Sequence, residues 1–360
     1  MAQTELLLAA LLRKSAWFRG LSEADFHTVA GLLRERRLRP GEVLFHAGEA
    51  GDFMVLVGSG RLEAHTEGQG EPGPLKEFRA GDVIGEMACL DPSPRVATVT
   101  ATADSLVFEL SHATLRQLEE QAPAAVAALV GGIIRQLTAR LRQTNERIQH
   151  ILRTSRRVDI SAIMPRVRMD RPAPPPPTPY RGPLDLEPLR QGRTLSDRDL
   201  EILVSVAPPM LYPDGALLCV EGRPASSCFL LVRGAVEVLK NMGGIHRVLA
   251  TLSPGAFVGQ MALVDHTPRS ASVRAVGEAV VLTLERADFD KLLQARSPLA
   301  LRFQQEIAIA GVRQLRLATA RLAALTSLSS PRRARAEVHE ELSRLQTSLG
   351  EWTIVPPGQK

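Results

Sequence analysis

At 360 residues the chain is long enough for two domains, each with its own core. Its 44% hydrophobic and 23% charged residues exclude a disordered or fibrous class, and a net charge of +5 permits an acidic or nucleic-acid partner without demanding one. The apolar run Leu6 to Leu12 precedes its basic residues, Arg13 and Lys14, and is too short to span a bilayer; an amphipathic lead-in helix is expected rather than a signal peptide or membrane anchor. Cys89, Cys219 and Cys228 are odd in number and scattered, as in reduced, partly buried thiols of a cytoplasmic protein, with no metal or disulfide framework.

A shift of 174 residues brings Leu21-Ser22 onto Leu195-Ser196 and puts Gly41, Gly48, Gly60, Gly81 and Gly85 on Gly215, Gly222, Gly234, Gly255 and Gly259. Glycines in register mark backbone that needs positive φ or close approach, so the chain is a tandem duplication of a domain. In chain order, Ser22 and Ser196 read as N-caps of helices over 22–36 and 196–208, with Asp25 and Asp199 completing capping boxes. From Leu38 to Leu110 and from Leu211 to Leu284 follow short β-rich runs broken by Gly, Pro and Asp, the pattern of an antiparallel roll. After Pro123, residues Val130, Ile134, Leu137, Leu141, Thr144, Ile148 and Ile151 step by four and three, an a/d seam that predicts a helix partner. Ala308, Val312, Leu315, Thr319 and Leu322 repeat it more weakly. Between the copies, Arg166 to Pro183 holds Pro172-Ala173-Pro174-Pro175-Pro176-Pro177, read as a stiff, exposed, locally basic spacer without a core. A short helix over about 334–349 is expected near the C-terminus.

The strongest chemical signal is Gly85-Glu86-Met87-Ala88 with Pro94-Arg95-Val96-Ala97-Thr98, repeated as Gly259-Gln260-Met261-Ala262 with Pro268-Arg269-Ser270-Ala271-Ser272. A rigid cyclic phosphate on ribose needs a fixed cation, backbone N–H groups and a group that recognises the free 2′-hydroxyl. Gly85 allows close backbone approach, and the turn after it can form a short helix whose N–H groups point at the phosphate. Arg95 offers a fork of donors to the phosphate oxygens, Glu86 an acceptor for the hydroxyl, Pro94 a fixed turn and Ala97 an open pocket.

With the glycines, the roll and the helix behind it, this pattern resembles the cyclic nucleotide-binding domain family, which includes bacterial cyclic AMP receptor proteins and regulatory subunits of cyclic AMP-dependent protein kinase. The resemblance covers about 15–155 and 190–328. It implies a mainly β fold with flanking helices (α+β): two β-roll, jelly-roll-like domains, each followed by a long helix. The expected layout is 1–157 for the first domain with its coiled helix, 158–189 for the Pro-rich linker, 190–328 for the second domain and 329–360 for a helical tail. It maps ribose and phosphate contacts onto Glu86 and Arg95, with Gly85, Met87, Ala88, Val96 and Ala97 around them. Arg140-Leu141-Arg142-Gln143-Thr144-Asn145-Glu146 is similar to the base-contacting stretch of bacterial members, which marks Thr144 and Asn145 for the base, although Thr144 also lies on the seam. In the second copy Gln260 replaces the Glu, which weakens the hydroxyl contact by about 1–2 kcal/mol. Gly259, Met261, Ala262, Arg269, Ser270 and Ala271 form a weaker site that is altered in specificity or purely structural. Members that favour cyclic GMP often carry Thr after the Arg; Val96 stands there in copy one and Ser270 in copy two, so cAMP is expected over cGMP.

No catalytic constellation or metal spacing stands out, so a non-enzymatic receptor is expected, signalling to a partner protein through the helix after the cassette. The alternative is a structural or oligomerisation component with residual or no nucleotide binding. Direct DNA binding is disfavoured because no winged helix-turn-helix is seen. The seam suggests a homo-oligomer through residues 126–152, or pairing of the two helices within one chain.

Overall fold

The computed structural model describes residues 21–65, 76–91, 94–154, 164–169, 174–190, 194–329 and 352–353, together with Leu8, Ala10, Leu11 and Trp17. The expected helix over 334–349 and most of the N-terminal lead-in lie outside the described residues.

The caps behave as the sequence requires. Ser22 opens α1 (Glu23–Leu32) and accepts from the Asp25 amide, while the Asp25 side chain accepts from Ser22. The helix stops earlier than its periodicity suggests because Arg34–Leu38 is already a strand, paired with Ser105–Ser111. The first roll is two four-stranded antiparallel sheets. One runs in the order Arg34–Leu38, Ser105–Ser111, Phe53–Ser59, Val83–Ile84; the other runs Val43–Phe45, Thr98–Ala101, Leu62–His65, Lys76–Phe78. Leu38, Val55, Val57, Leu62, Val99 and Val107, among others, fill the space between them. Helix α2 (Glu86–Leu90) sits between the strands at 83–84 and 98–101. Behind the roll come α3 (His112–Gln121) and the 32-residue α4 (Pro123–Thr154), separated at Ala122, where proline opens the second helix.

Residues 1–133 and 134–360 form two compact units, so the division falls inside α4 rather than at the 157/158 boundary expected from the linker. In the second unit α5 (Glu187–Arg190) precedes α6 (Asp197–Val206), which repeats the capping box with Ser196 and Asp199. The roll strands are longer than in the first copy. Ser227–Met242 and Ser272–Glu285 each run through positions where the first roll has two separate strands, with register shifts around Gly234. Gly234 has φ +85°, and a Cβ there would collide with the Glu278 carbonyl; Gly60, at the same place in the first copy, has φ +90° and is crowded by Ser105. Both are corners at which only glycine lets the ribbon turn. Helix α7 (Gln260–Val264) matches α2, followed by α8 (Arg286–Gln294) and the 32-residue α9 (Pro298–Ser329).

Two expectations about the connections change. The spacer is not wholly without a core: Arg166–Val167 pairs with Ile245–Leu252, Thr178–Pro179 pairs with Pro209–Tyr212, and Met164 is fully buried. The edges of the second sheet have free backbone groups, and the linker satisfies them. The a/d seam also finds its partner inside the chain. Leu141, Ile148, Ile151 and Leu152 of α4 pack with Ala318, Leu322, Ala324 and Leu325 of α9, and Leu137 lies where a Cβ on Gly311 would touch it. This covers the 137–152 part of the face that the sequence offers to a homo-oligomer through 126–152.

The second unit is tied at its start by a half-buried ion pair. Arg302 of α9 donates from Nε and Nη2 to the two Asp199 oxygens, at 2.6 and 2.9 Å, and Ser196 donates to the same carboxylate. These bonds hold the Asp199 carboxyl at about 2, below its usual range. Because the folded value is depressed, the pair adds about 2 kcal/mol at neutral pH, lost as pH falls from about 4 through 2. Asp199→Asn should therefore lower stability at pH 7 and flatten the acid limb; urea unfolding of parent and variant at pH 7, 4 and 2.5 checks this, and equal pH slopes would refute it.

Candidate functional site

Each cassette is built around a left-handed glycine. Gly85 has φ +85° and caps α2 without a side chain; Gly259 has φ +81° and does the same for α7. A Cβ at Gly85 would stand 2.5 Å from Arg95 Nη1 and 3.2 Å from the Phe53 carbonyl, and one at Gly259 would collide with Arg269 Nη1. The reason is that each arginine is folded onto its cassette. Arg95 donates from Nη1 to the Gly85 carbonyl at 3.3 Å and from Nη2 to the Phe53 carbonyl at 2.7 Å. Arg269 donates to the Gly259 carbonyl at 2.8 Å and to the Ser227 carbonyl, the position equivalent to Phe53. Both arginines are 5% exposed. Burial lowers the Arg95 pKa against the opposing pull of Asp52, Cys89, Glu49 and Glu86.

The environments then differ. The Arg95 guanidinium lies 4.1 Å from the Phe45 ring centre and 4.5 Å from that of Phe53, a cation held between two aromatic faces. In the second copy those positions are Cys219 and Ser227, and Arg269 has only the Phe229 ring at 5.9 Å among the described residues. Glu86 is 4% exposed and Met87 is 8% exposed. Val96 is 59% exposed, while Ala97 belongs to the roll core with Phe45, Ile84 and Val99, so its small size serves packing rather than an open pocket. Ala88 lies on α2, and its side chain is outside the described residues. Cys89, on α2, is fully buried, and burial pushes its thiol up to about 12, so it stays protonated.

The second cassette opens on a cavity of about 160 Å³. Gly259, Gln260, Met261, Ala262, Arg269, Ser270 and Ala271, the predicted set, all line it. Gln260 is fully buried, and neither end of its amide has a hydrogen-bond partner among the described residues. The opposite walls come from α9, with Leu317, Ala318 and Arg321, and from the second half of α4, with Leu141, Asn145 and Ile148. Asn145, expected at the base of the first site, thus faces the second cassette's cavity. Thr144 is half-buried and donates to the Arg140 carbonyl at 2.9 Å, a helix-internal bond. Arg142 of the same stretch bonds Asp265 and, at 2.6 Å, Thr267, fastening α4 to the loop between α7 and Arg269. Ala318, which the shift of 174 aligns with Thr144, lines the cavity, and Thr319, aligned with Asn145, is exposed. Sequence reasoning missed Arg321 and Lys240 in the cavity wall. Arg321 had a signal, being one helical turn past Ala318 on the same face; Lys240 had none, because a single lysine on a strand carries no motif of its own.

Two antiparallel β-rolls, each with a glycine-capped short helix and an arginine folded onto it, define a tandem nucleotide-binding architecture. The chain matches the cyclic nucleotide-binding domain family over residues 35–122 and 209–296. It therefore carries two cyclic nucleotide-binding domains and is distantly homologous to regulatory subunits of cAMP-dependent protein kinase. The regulatory subunit from Blastocladiella emersonii is 26% identical over 279 residues, 77% of this chain and 56% of that protein. The one from Dictyostelium discoideum is 23% identical over 295 residues, 81% of this chain and 74% of that protein. The chain thus spans little more than half of the first of these relatives. Among solved structures, the regulatory domain of Toxoplasma gondii PKA with cAMP covers 82% of this chain and 94% of its own at 21% identity and a TM-score of 0.32.

Gly85→Ala forces a side chain into left-handed backbone and against Arg95. It should cost about 1–3 kcal/mol and displace the arginine. Denaturant unfolding of the full chain measures this, and an unchanged midpoint would show that the arginine's seat does not depend on the glycine.

Proposed function

We propose that the chain is a non-catalytic cyclic nucleotide receptor whose first cassette binds cAMP and whose signal passes to a partner protein. The observation that carries this reading is Arg95. It is buried, held by two backbone carbonyls and two phenylalanine faces, and stands beside the equally buried Glu86. A cation fixed in this way keeps its position when a phosphate arrives, so little ordering cost is left for binding. Glu86 supplies the acceptor for a ribose hydroxyl, and the amides of α2 supply the remaining donors. The relatives named for cAMP-dependent protein kinase support cAMP as the ligand, and they make a protein kinase catalytic subunit the class of partner to try first.

The second cassette adds a signal of its own through helix packing in the second unit. The second half of α4 is fastened to the second cassette through Arg142 and packs along α9. A ligand in that cavity would touch both helices, so occupancy sets their spacing, and a partner that reads either helix reads the ligand.

Calorimetry of the full chain with cAMP tests the reading. Arg95→Ala should weaken binding at the first cassette by roughly 2–3 kcal/mol, about 30- to 150-fold, the worth of charge-assisted hydrogen bonds to one phosphate. Absence of cAMP binding by the parent chain would overturn the proposal.

A further inference from the structure

The second cavity holds a cation whose donor edge is unanswered among the described residues. Arg321 is 6% exposed, and its Nε and Nη2 have no hydrogen-bond partner among those residues. Burial alone drives its pKa down to about 10. It shares the cavity wall with Lys240 and Arg269, and no carboxylate lines that wall among the described residues. Lys240 is answered by Glu221 at 2.6 Å, and Arg269 by its two carbonyls. A buried guanidinium edge without an acceptor is costly, and a ligand that brings acceptors to it gains what the empty protein lacks.

The unpartnered atoms say what those acceptors look like. Nε–H and Nη2–H lie along one side of the guanidinium plane and form a two-pronged donor. Cassette residues 259–271 account for a phosphate and a ribose: Arg269 and the α7 amides face the first, and the unpartnered amide of Gln260 suits the second, since a hydroxyl both donates and accepts. The base is left to the helical walls, where Leu141, Ile148 and Leu317 offer apolar faces and Arg321 offers its fork. A 6-oxopurine presents two adjacent acceptors, O6 and N7, to such a fork, whereas adenine presents one acceptor and an amino donor that would oppose it. We infer that the second cassette takes a cyclic 6-oxopurine nucleotide, of the cyclic GMP or cyclic IMP kind, and that Arg321 is the residue that selects it over cAMP. This rests on reading both cassettes as cyclic nucleotide sites. It makes the second copy different in specificity, not merely weaker.

The test is calorimetric titration of the full chain carrying Arg95→Lys, which mutes the first cassette, with cGMP, cIMP and cAMP in turn. The expected result is that cGMP and cIMP bind about 10- to 100-fold more tightly than cAMP, the usual reach of one bidentate base contact. Adding Arg321→Met, which keeps the bulk and removes the buried charge, should bring the three to within a few-fold of one another while thermal unfolding stays cooperative. Should that variant not fold, Arg321→Lys keeps the charge, loses the fork and should give the same levelling. Equal or tighter binding of cAMP in the Arg95→Lys chain overturns the inference, as does a purine preference that survives both substitutions. If none of the three binds the Arg95→Lys chain while the parent binds cAMP, this inference falls and the first cassette stands. If the parent also binds nothing, the reading beneath it falls too.

Discussion

Both cassettes depend on one arrangement: an arginine guanidinium bridging two carbonyls, one from a roll strand and one from the glycine that caps a short helix. The bridge joins three elements that are remote in sequence and sets how the short helix lies on the roll. It also explains the glycine. A side chain there would need left-handed backbone and would occupy the space of the guanidinium, so glycine, arginine and the partner strand have to be kept together. Carbonyls are neutral acceptors, so the arginine keeps its full charge while its position is fixed. A site built this way holds a stationary cation under a helix N-terminus before any anion is present, which is the preorganisation that tight anion binding needs.

From that common base the copies diverge by what surrounds the cation. In the first, Phe45 and Phe53 close on it from two sides and Glu86 is buried beside it, a setting made of aromatic faces and one carboxylate. In the second, Cys219 and Ser227 leave those faces open, Gln260 replaces the carboxylate, and Lys240 and Arg321 add positive charge. The duplication kept the phosphate seat and changed the rest of the pocket. The second pocket therefore differs from the first in charge as well as shape, with Arg321 Nε and Nη2 unanswered among the described residues.

How much of this could be read from the sequence follows from the range of each interaction. The rolls, the capping boxes and both cassettes are local or repeated patterns, and glycines at a spacing of 174 carry them. The a/d seam was equally legible, but a seam states that a helix needs a partner, not which one; α9 turned out to be that partner. Asn145 shows the same limit. Its motif resembled a base-contacting stretch, yet the compact units part at Ile133 and the residues beyond it serve the second cassette. The linker strands were hidden for another reason. Two-residue pairings such as Arg166–Val167 with the edge of a sheet have no periodicity of their own, and the sheet edge rather than the linker sequence creates them.

The second half of α4 is a wall of the second cavity, latched by Arg142 to the loop that leads into Arg269. That latch is a partly exposed ion pair, worth about 0–1 kcal/mol, and the apolar contact with α9 is built largely from alanine and leucine rather than interlocking aromatics. An interface of this strength yields to a ligand that binds a second arrangement about tenfold more tightly, because only that difference, about 1.4 kcal/mol, shifts the balance. The weak latch and the buried, unanswered Arg321 therefore belong together. Arg321 on α9 and the latched half of α4 are both walls of the second cavity, so a base that meets the Arg321 fork also lies against the helix the latch holds.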